Sequence, residues 1–166
     1  MGAAHALFDI WPRLSIIMVR LCGRTAQIFQ GRKAQPALIF GTGTDIIEVQ
    51  RVEDKLARTG GLKAKLFTAR EVEYCESKHR PALHFAARFA AKEAFLKAMG
   101  TGWTGGHKFS DIEVVNNAKG KPVLFVHGKV KEFCEACGIG AMEVSLTHIK
   151  DVASAVVVLE KNPQSP

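Results

Sequence analysis

Nowhere in the 166 residues do eighteen or so apolar side chains run together, the length a membrane-spanning helix needs. Cysteine is scarce as well. Cys22, Cys75, Cys134 and Cys137 are too few and too irregularly placed for a disulfide scaffold. Cys134 and Cys137 form a CxxC, but no second pair accompanies it, and a structural zinc site needs four ligands. Two small residues on a helix is the plainer reading. This usage fits a reducing, cytoplasmic setting. Also missing is any basic motif interleaved with aromatics, so the dispersed cations do not describe a nucleic-acid-binding protein.

What is present is ordinary for a globular chain: 47% hydrophobic and 23% charged residues, enough for one domain with a real core. The net charge of +7 favours an acidic partner without choosing among nucleic acid, anionic lipid, a phosphorylated small molecule and an acidic protein. Residues 1–37 stand apart. They hold five Lys or Arg against one acid, Asp9, and so carry +4 of the total. Such a leader fits an organelle transit peptide, a poorly ordered tail or an early start codon alike, and it lacks the apolar core of a secretory signal. We place this basic extension outside the fold, with the domain over 38–161 and a tail over 162–166.

From Leu38 the pattern tightens. "LIFGTGTDII" alternates and is rich in β-branched residues, which predicts a strand, and Glu48 to Arg58 predicts a helix closed by Gly60 and Gly61. Thr68 and Glu71 make a capping box for a short helix from Ala69 to Ser77. The main helix spans Ala82 to Met99, stopped by Gly100 and Gly102. Strands at "DIEVV" and "VLFVH" flank the turn "NNAKGKP"; a helix follows over Lys129 to Cys137. "AMEVSLTH" and "ASAVVVLE" close the chain as an antiparallel hairpin. The expected class is α+β, an antiparallel sheet packed against a long central helix.

That helix carries the question of function. On a wheel, Phe85, Phe89 and Leu96 form a core stripe, and Ala86, Ala90 and Ala94 a second strip of small residues that another surface can approach. Glu93 lies between the strips, Lys97 one turn on, and Arg88 and Lys92 flank the stripe on its other edge. A solvated Glu93–Lys97 pair would contribute only a few tenths of a kcal/mol, roughly 0.2–0.5. The competing reading is a site for Mg²⁺ and phosphates, since Mg²⁺ takes one or two carboxylates together with water and phosphate oxygens. Asp45, just after Gly41 and Gly43, is the candidate second carboxylate; capping the next helix is its alternative role.

Three stretches, "GTGTDIIEVQR", "FAARFAAKEAFLKAMGTG" and "SLTH", in this order and spacing and with "FSDIEV…GKP" between, carry a resemblance. From about Leu38 to Glu160 the chain resembles the holo-acyl-carrier-protein synthases, small 4′-phosphopantetheinyl transferases. The resemblance implies transfer of phosphopantetheine from coenzyme A to a serine of acyl carrier protein, with release of adenosine 3′,5′-bisphosphate. It also implies Mg²⁺ dependence, a place in fatty acid biosynthesis and a homotrimer with active sites between subunits. Matched position by position, Asp45 and Glu93 are the expected metal ligands. Arg88, Lys92 and Lys97 are expected on the phosphates of coenzyme A, and His148 near the nucleotide. Arg51 and Arg58 would face the carrier protein. The chain departs from this pattern in its basic extension, which bears on localisation rather than chemistry.

The implied chemistry follows from these groups. Charge builds on the diphosphate as the phosphoanhydride breaks, and a metal held by Asp45 and Glu93, with Lys97, would neutralise it. Glu93, directly or through water, is the candidate base for the serine proton. At the end of an alternating strand, His148 has a structural reading of equal standing. His79, His84, His107 and His127 have no evident partner, and Trp103 reads as a packing residue before a cover for the pantetheine arm. A carrier-binding module without chemistry is the remaining class, and intact Asp45, Glu93 and Lys97 argue against it.

Overall fold

The computed structural model describes residues 38–102 and 106–162. The basic extension, Trp103 and the last four residues of the tail therefore lie outside the described residues. The first strand, β1 (Ile39–Glu48), runs directly into helix α1 (Val49–Arg58). A short helix α2 (Leu62–Leu66) and helix α3 (Ala69–Glu76) follow, then the long helix α4 (Pro81–Met99). A 3₁₀ turn (Phe109–Asp111) leads into β2 (Ile112–Asn116) and β3 (Pro122–Val126). Helix α5 (Gly128–Ala136) precedes the closing strands β4 (Ile139–His148) and β5 (Val152–Lys161).

The capping box of α3 forms in full. Thr68 Oγ1 accepts from the Glu71 amide at 3.3 Å, and the Glu71 carboxylate accepts from the Thr68 amide at 2.9 Å. Pro81 starts α4, and Gly100, at φ 72°, ends it by donating to the Lys97 carbonyl. Helix α2, "LKAKL", was not anticipated, because five residues are too few to display a period.

Instead of one sheet there are two, both antiparallel. The larger has the order β1-β5-β4, and β2 pairs only with β3. The small sheet is closed by Asn117, whose side chain accepts from the amides of Lys119 and Lys121. In the larger sheet, Asp45 sits opposite Ala155 and Thr44 opposite Val156. Strand alternation sends Ala153, Ala155, Val157 and Leu159 of β5 into the core. Gly41, Gly43, Asp45 and Ile47 of β1 share that inward face. The missing side chains at the two glycines have a use: a Cβ on Gly43 would run into the Ala94 carbonyl of α4, and one on Gly41 into that of Ala98. The strand therefore lies directly on the helix backbone, with Asp45 one step beyond the contact.

Helix α4 is buried almost all round. The two apolar strips are both covered, and so are Arg88 and Lys92, which flank the core stripe. Glu93 is half-buried and Lys97 exposed.

Candidate active site

Strand β1 delivers Asp45 and helix α4 delivers Glu93 and Lys97 to one place. Lys97 Nζ donates to Asp45 Oδ1 at 2.8 Å and to the Thr44 carbonyl at 3.0 Å. The helical Glu93–Lys97 pair suggested by spacing is therefore not where the Lys97 ammonium goes. Asp45 is further fixed through its backbone, since its carbonyl accepts from Ser154 Oγ at 2.8 Å. Burial pushes the Glu93 carboxyl up to about 7, and the charge of Asp45 adds to this, with Lys97 partly offsetting both. Burial likewise raises Asp45, against the hydrogen bond and charge of Lys97. Two neighbouring carboxyls raised in this way, one of them by the charge of the other, could hold a cation between them. Their donors are oxygens only, and among the described residues no cluster of three His, Cys, Asp or Glu exists. A hard ion that keeps positions for water and substrate oxygens fits this set; a transition metal bound wholly by protein does not.

Lys92 requires a correction. Its side chain is fully buried, and its ammonium donates to Glu71 Oε2 at 2.7 Å and to the carbonyls of Phe109 and Ile112. An ammonium has three protons, and all three are used. Nothing is left for a phosphate of coenzyme A. Glu71, also fully buried, accepts in addition from the amides of Thr68 and Val114. The sequence showed Glu71 as a cap and missed it as a counter-ion, because its partner lies 21 residues away.

Arg88 is buried as well, with Nη2 on Asn116 Oδ1 at 2.6 Å and the guanidinium 4.1 Å from the centre of the Tyr74 ring. Its Nε is buried without a partner. The Tyr74 ring also packs edge-on to His84, and His84 edge-on to His148 at the end of β4, 6.3 Å between ring centres. Lys78 Nζ lies 4.2 Å from the Tyr74 ring centre. So Arg88 and His148 do belong to one cluster, joined through Tyr74, which the sequence did not single out, and His84, for which it offered no partner. The His84 imidazole is held below its ordinary pKa by burial, then by the charges of Arg88, His148 and Lys78. Arg88 and Lys78 are both positive, so the cluster favours an anion. Beside it in the chain, a cleft of about 260 Å³ is lined by Gln50, Glu53, His79, Arg80 and Lys150 among others.

Arg51 and Arg58 stand on α1, as expected from their spacing. Arg58 pairs with Asp54 at 3.3 Å and stays largely exposed.

Residues 41–156 match the family model described as the 4′-phosphopantetheinyl transferase superfamily, well over half of the chain. The chain belongs to the holo-[acyl-carrier-protein] synthases of that superfamily. A holo-[acyl-carrier-protein] synthase of Geobacter sp. (strain M21) is 46% identical over 125 residues, covering 75% of this chain and all of that protein. The crystal structure of holo-[acyl-carrier-protein] synthase from Neisseria meningitidis superposes with a TM-score of 0.69 at 34% identity, over 75% of this chain and 100% of that one. A Bacillus anthracis holo-(acyl-carrier-protein) synthase, solved in complex with coenzyme A (3′,5′-ADP), gives 0.63 at 36% identity, over 76% and 100%. The chain is thus an enzyme, a phosphopantetheinyl transferase, on the α+β fold of that family.

Proposed function

We propose that this enzyme transfers 4′-phosphopantetheine from coenzyme A to a serine of apo-acyl carrier protein, with Mg²⁺ required. The observation that carries the reading is the convergence of Asp45, Glu93 and Lys97. The serine oxygen forms a bond to the β-phosphorus, the phosphoanhydride bond breaks, and adenosine 3′,5′-bisphosphate leaves. Asp45 and Glu93 would hold the metal, which when bound supplies Lewis-acid neutralisation of the diphosphate. Lys97 brings an ammonium to the charge that develops on the leaving phosphate. Glu93 is the acceptor for the serine proton, directly or through an intervening water. Arg88, His84 and His148 serve as the anion-favouring cluster for the nucleotide part of coenzyme A. In that role Arg88 acts from a buried position.

Two features support a homotrimer in which the site is completed by a neighbouring copy. Glu93 and Arg88 project about 140° apart around α4, so one copy turns its metal and nucleotide groups in different directions. The outer face of the large sheet is bare and partly apolar: Ile46 is 70% and Val156 47% exposed, among exposed Thr42, Thr44, Ser145 and Thr147. Arg51 and Arg58 on α1 form the cationic face for an acidic carrier protein. No described helix is long and apolar enough to cross a membrane. The free thiols Cys75, Cys134 and Cys137 suit a reducing cytoplasm and a role in fatty acid biosynthesis there.

Mass spectrometry of apo-acyl carrier protein incubated with the enzyme, coenzyme A and Mg²⁺ tests the proposal. A gain of one phosphopantetheine, abolished by EDTA, is expected. An unmodified carrier would overturn it.

A further inference from the structure

Lys97 spans the gap that separates its two roles. Its Nζ sits on a carboxylate oxygen of Asp45 and on the Thr44 carbonyl, the two kinds of oxygen a hard cation selects. Its side chain is 44% exposed, so it can leave that position without breaking packing, whereas Asp45 at 16% cannot follow it. A lysine stem carries four carbons and turns freely at each. We propose that Lys97 is the stand-in cation of the metal site. In the metal-free enzyme its ammonium holds Asp45 in place, and on metal entry it is displaced and freed for the phosphates of coenzyme A. Lysine and metal then compete for the same carboxylate, and the loss of the Lys97–Asp45 pair is the step that arms Lys97. This rests on the reading of Asp45 and Glu93 as metal ligands in the transferase reaction.

The consequence is a split no ordinary catalytic lysine would give. Removing a unit positive charge a few ångströms from the site should tighten metal binding while it harms transfer. The experiment measures Mn²⁺ binding by electron paramagnetic resonance, with no coenzyme A or carrier present, for the full chain and for Lys97→Met and Lys97→Gln. Thermal melting checks that each is folded, and the second variant serves if the first is not. We expect Mn²⁺ affinity to rise at least about fivefold in the neutral variants. The Mg²⁺ concentration for half-maximal transfer should fall while kcat falls too. Unchanged or weaker Mn²⁺ binding in a folded neutral variant overturns the proposal. The two readings fail differently. A wild-type enzyme that transfers normally while its variants bind Mn²⁺ no more tightly refutes the competition alone. A wild-type enzyme that never modifies the carrier refutes the transferase reading.

Discussion

Lys92 and Lys97 sit five residues apart on one helix, each 2.7–2.8 Å from a carboxylate, and they do opposite things. The Lys92–Glu71 pair is fully buried on both sides, with the ammonium's protons and both oxygens of the carboxylate committed. It ties α4 to α3, β2 and the 3₁₀ turn. The Lys97–Asp45 pair is 44% and 16% exposed, and among the described residues Glu93 beside it has no ion pair of its own. A charge with every bond satisfied is part of the frame; a charge with slack is available to a reactant. Burial of the whole network, rather than the presence of an ion pair, separates the two.

The comparison fails most sharply if the open pair proves dispensable. Asp45→Asn and Glu93→Gln should each lower transfer by about a thousandfold or more, since the metal contributes several kcal/mol of charge stabilisation. Melting temperatures should stay level or rise, because a mutually repelling carboxyl has been neutralised. Near-normal turnover under EDTA-controlled Mg²⁺ would remove both residues from the metal site.

Lys92→Met should act on the other side of the divide. Leaving Glu71 buried without its counter-ion should cost about 3–5 kcal/mol of stability, read from denaturant melts. KM for coenzyme A in whatever protein remains folded should not change. A selective loss of coenzyme A affinity without loss of stability would return Lys92 to the phosphates. Lys97→Ala inverts this pattern. It should lower kcat/KM by roughly one to three powers of ten while costing no more than about 1 kcal/mol of stability.

The charges on α1, Arg58 exposed and Arg51 half-buried, extend the contrast to the surface. Reversing Arg51 and Arg58 to Glu should raise KM for the carrier at low salt and spare KM for coenzyme A, as rim charges act on encounter. Transfer by the unaltered enzyme should weaken between about 0.05 and 0.5 M salt, as the Debye length shrinks. An unchanged carrier KM would dismiss α1 as the docking face.

The smallest effect concerns His84. Its pKa lies below 6.5 because burial, then the charges of Arg88, His148 and Lys78, oppose protonation. Its contribution to stability is thus present above 6.5 and is lost as pH falls, when the unfolded chain takes up the proton first. A bound anion reverses the bias. The His84 ring resonance should titrate below 6.5 in the free enzyme and move upward when adenosine 3′,5′-bisphosphate binds. A titration unmoved by ligand would separate this cluster from the nucleotide.

Much of this was readable in the residues, and the rest has a physical reason for staying hidden. Strand alternation, caps and glycine stops located the long helix, and Asp45 after two glycines marked the part of β1 that meets it. The wheel placed Glu93 and Lys97 correctly beside the apolar strips. It did not reveal the partners of Lys92 and Arg88, because a wheel shows which side a residue takes and not whether a partner such as Glu71 or Asn116 waits there. Tyr74 went unnoticed and His84 without a partner for the same cause: they become a cluster only once α3, α4 and β4 are packed. The division into two sheets depends on which strands hydrogen-bond, which alternation leaves undetermined.

The reach between Asp45 and Glu93 is set by two positions that have no side chain at all. Adding one methyl group at residue 43 would strike the Ala94 carbonyl and wedge the helix off the strand, one residue from Glu93. Both carboxylates would survive chemically intact and be too far apart to share an ion. A mutagenesis screen that scored only product would therefore file Gly43 with Asp45, as though both were reagents. The transferase keeps its tolerances in empty volume, and a change there would be felt as lost chemistry before it was recognised as lost architecture.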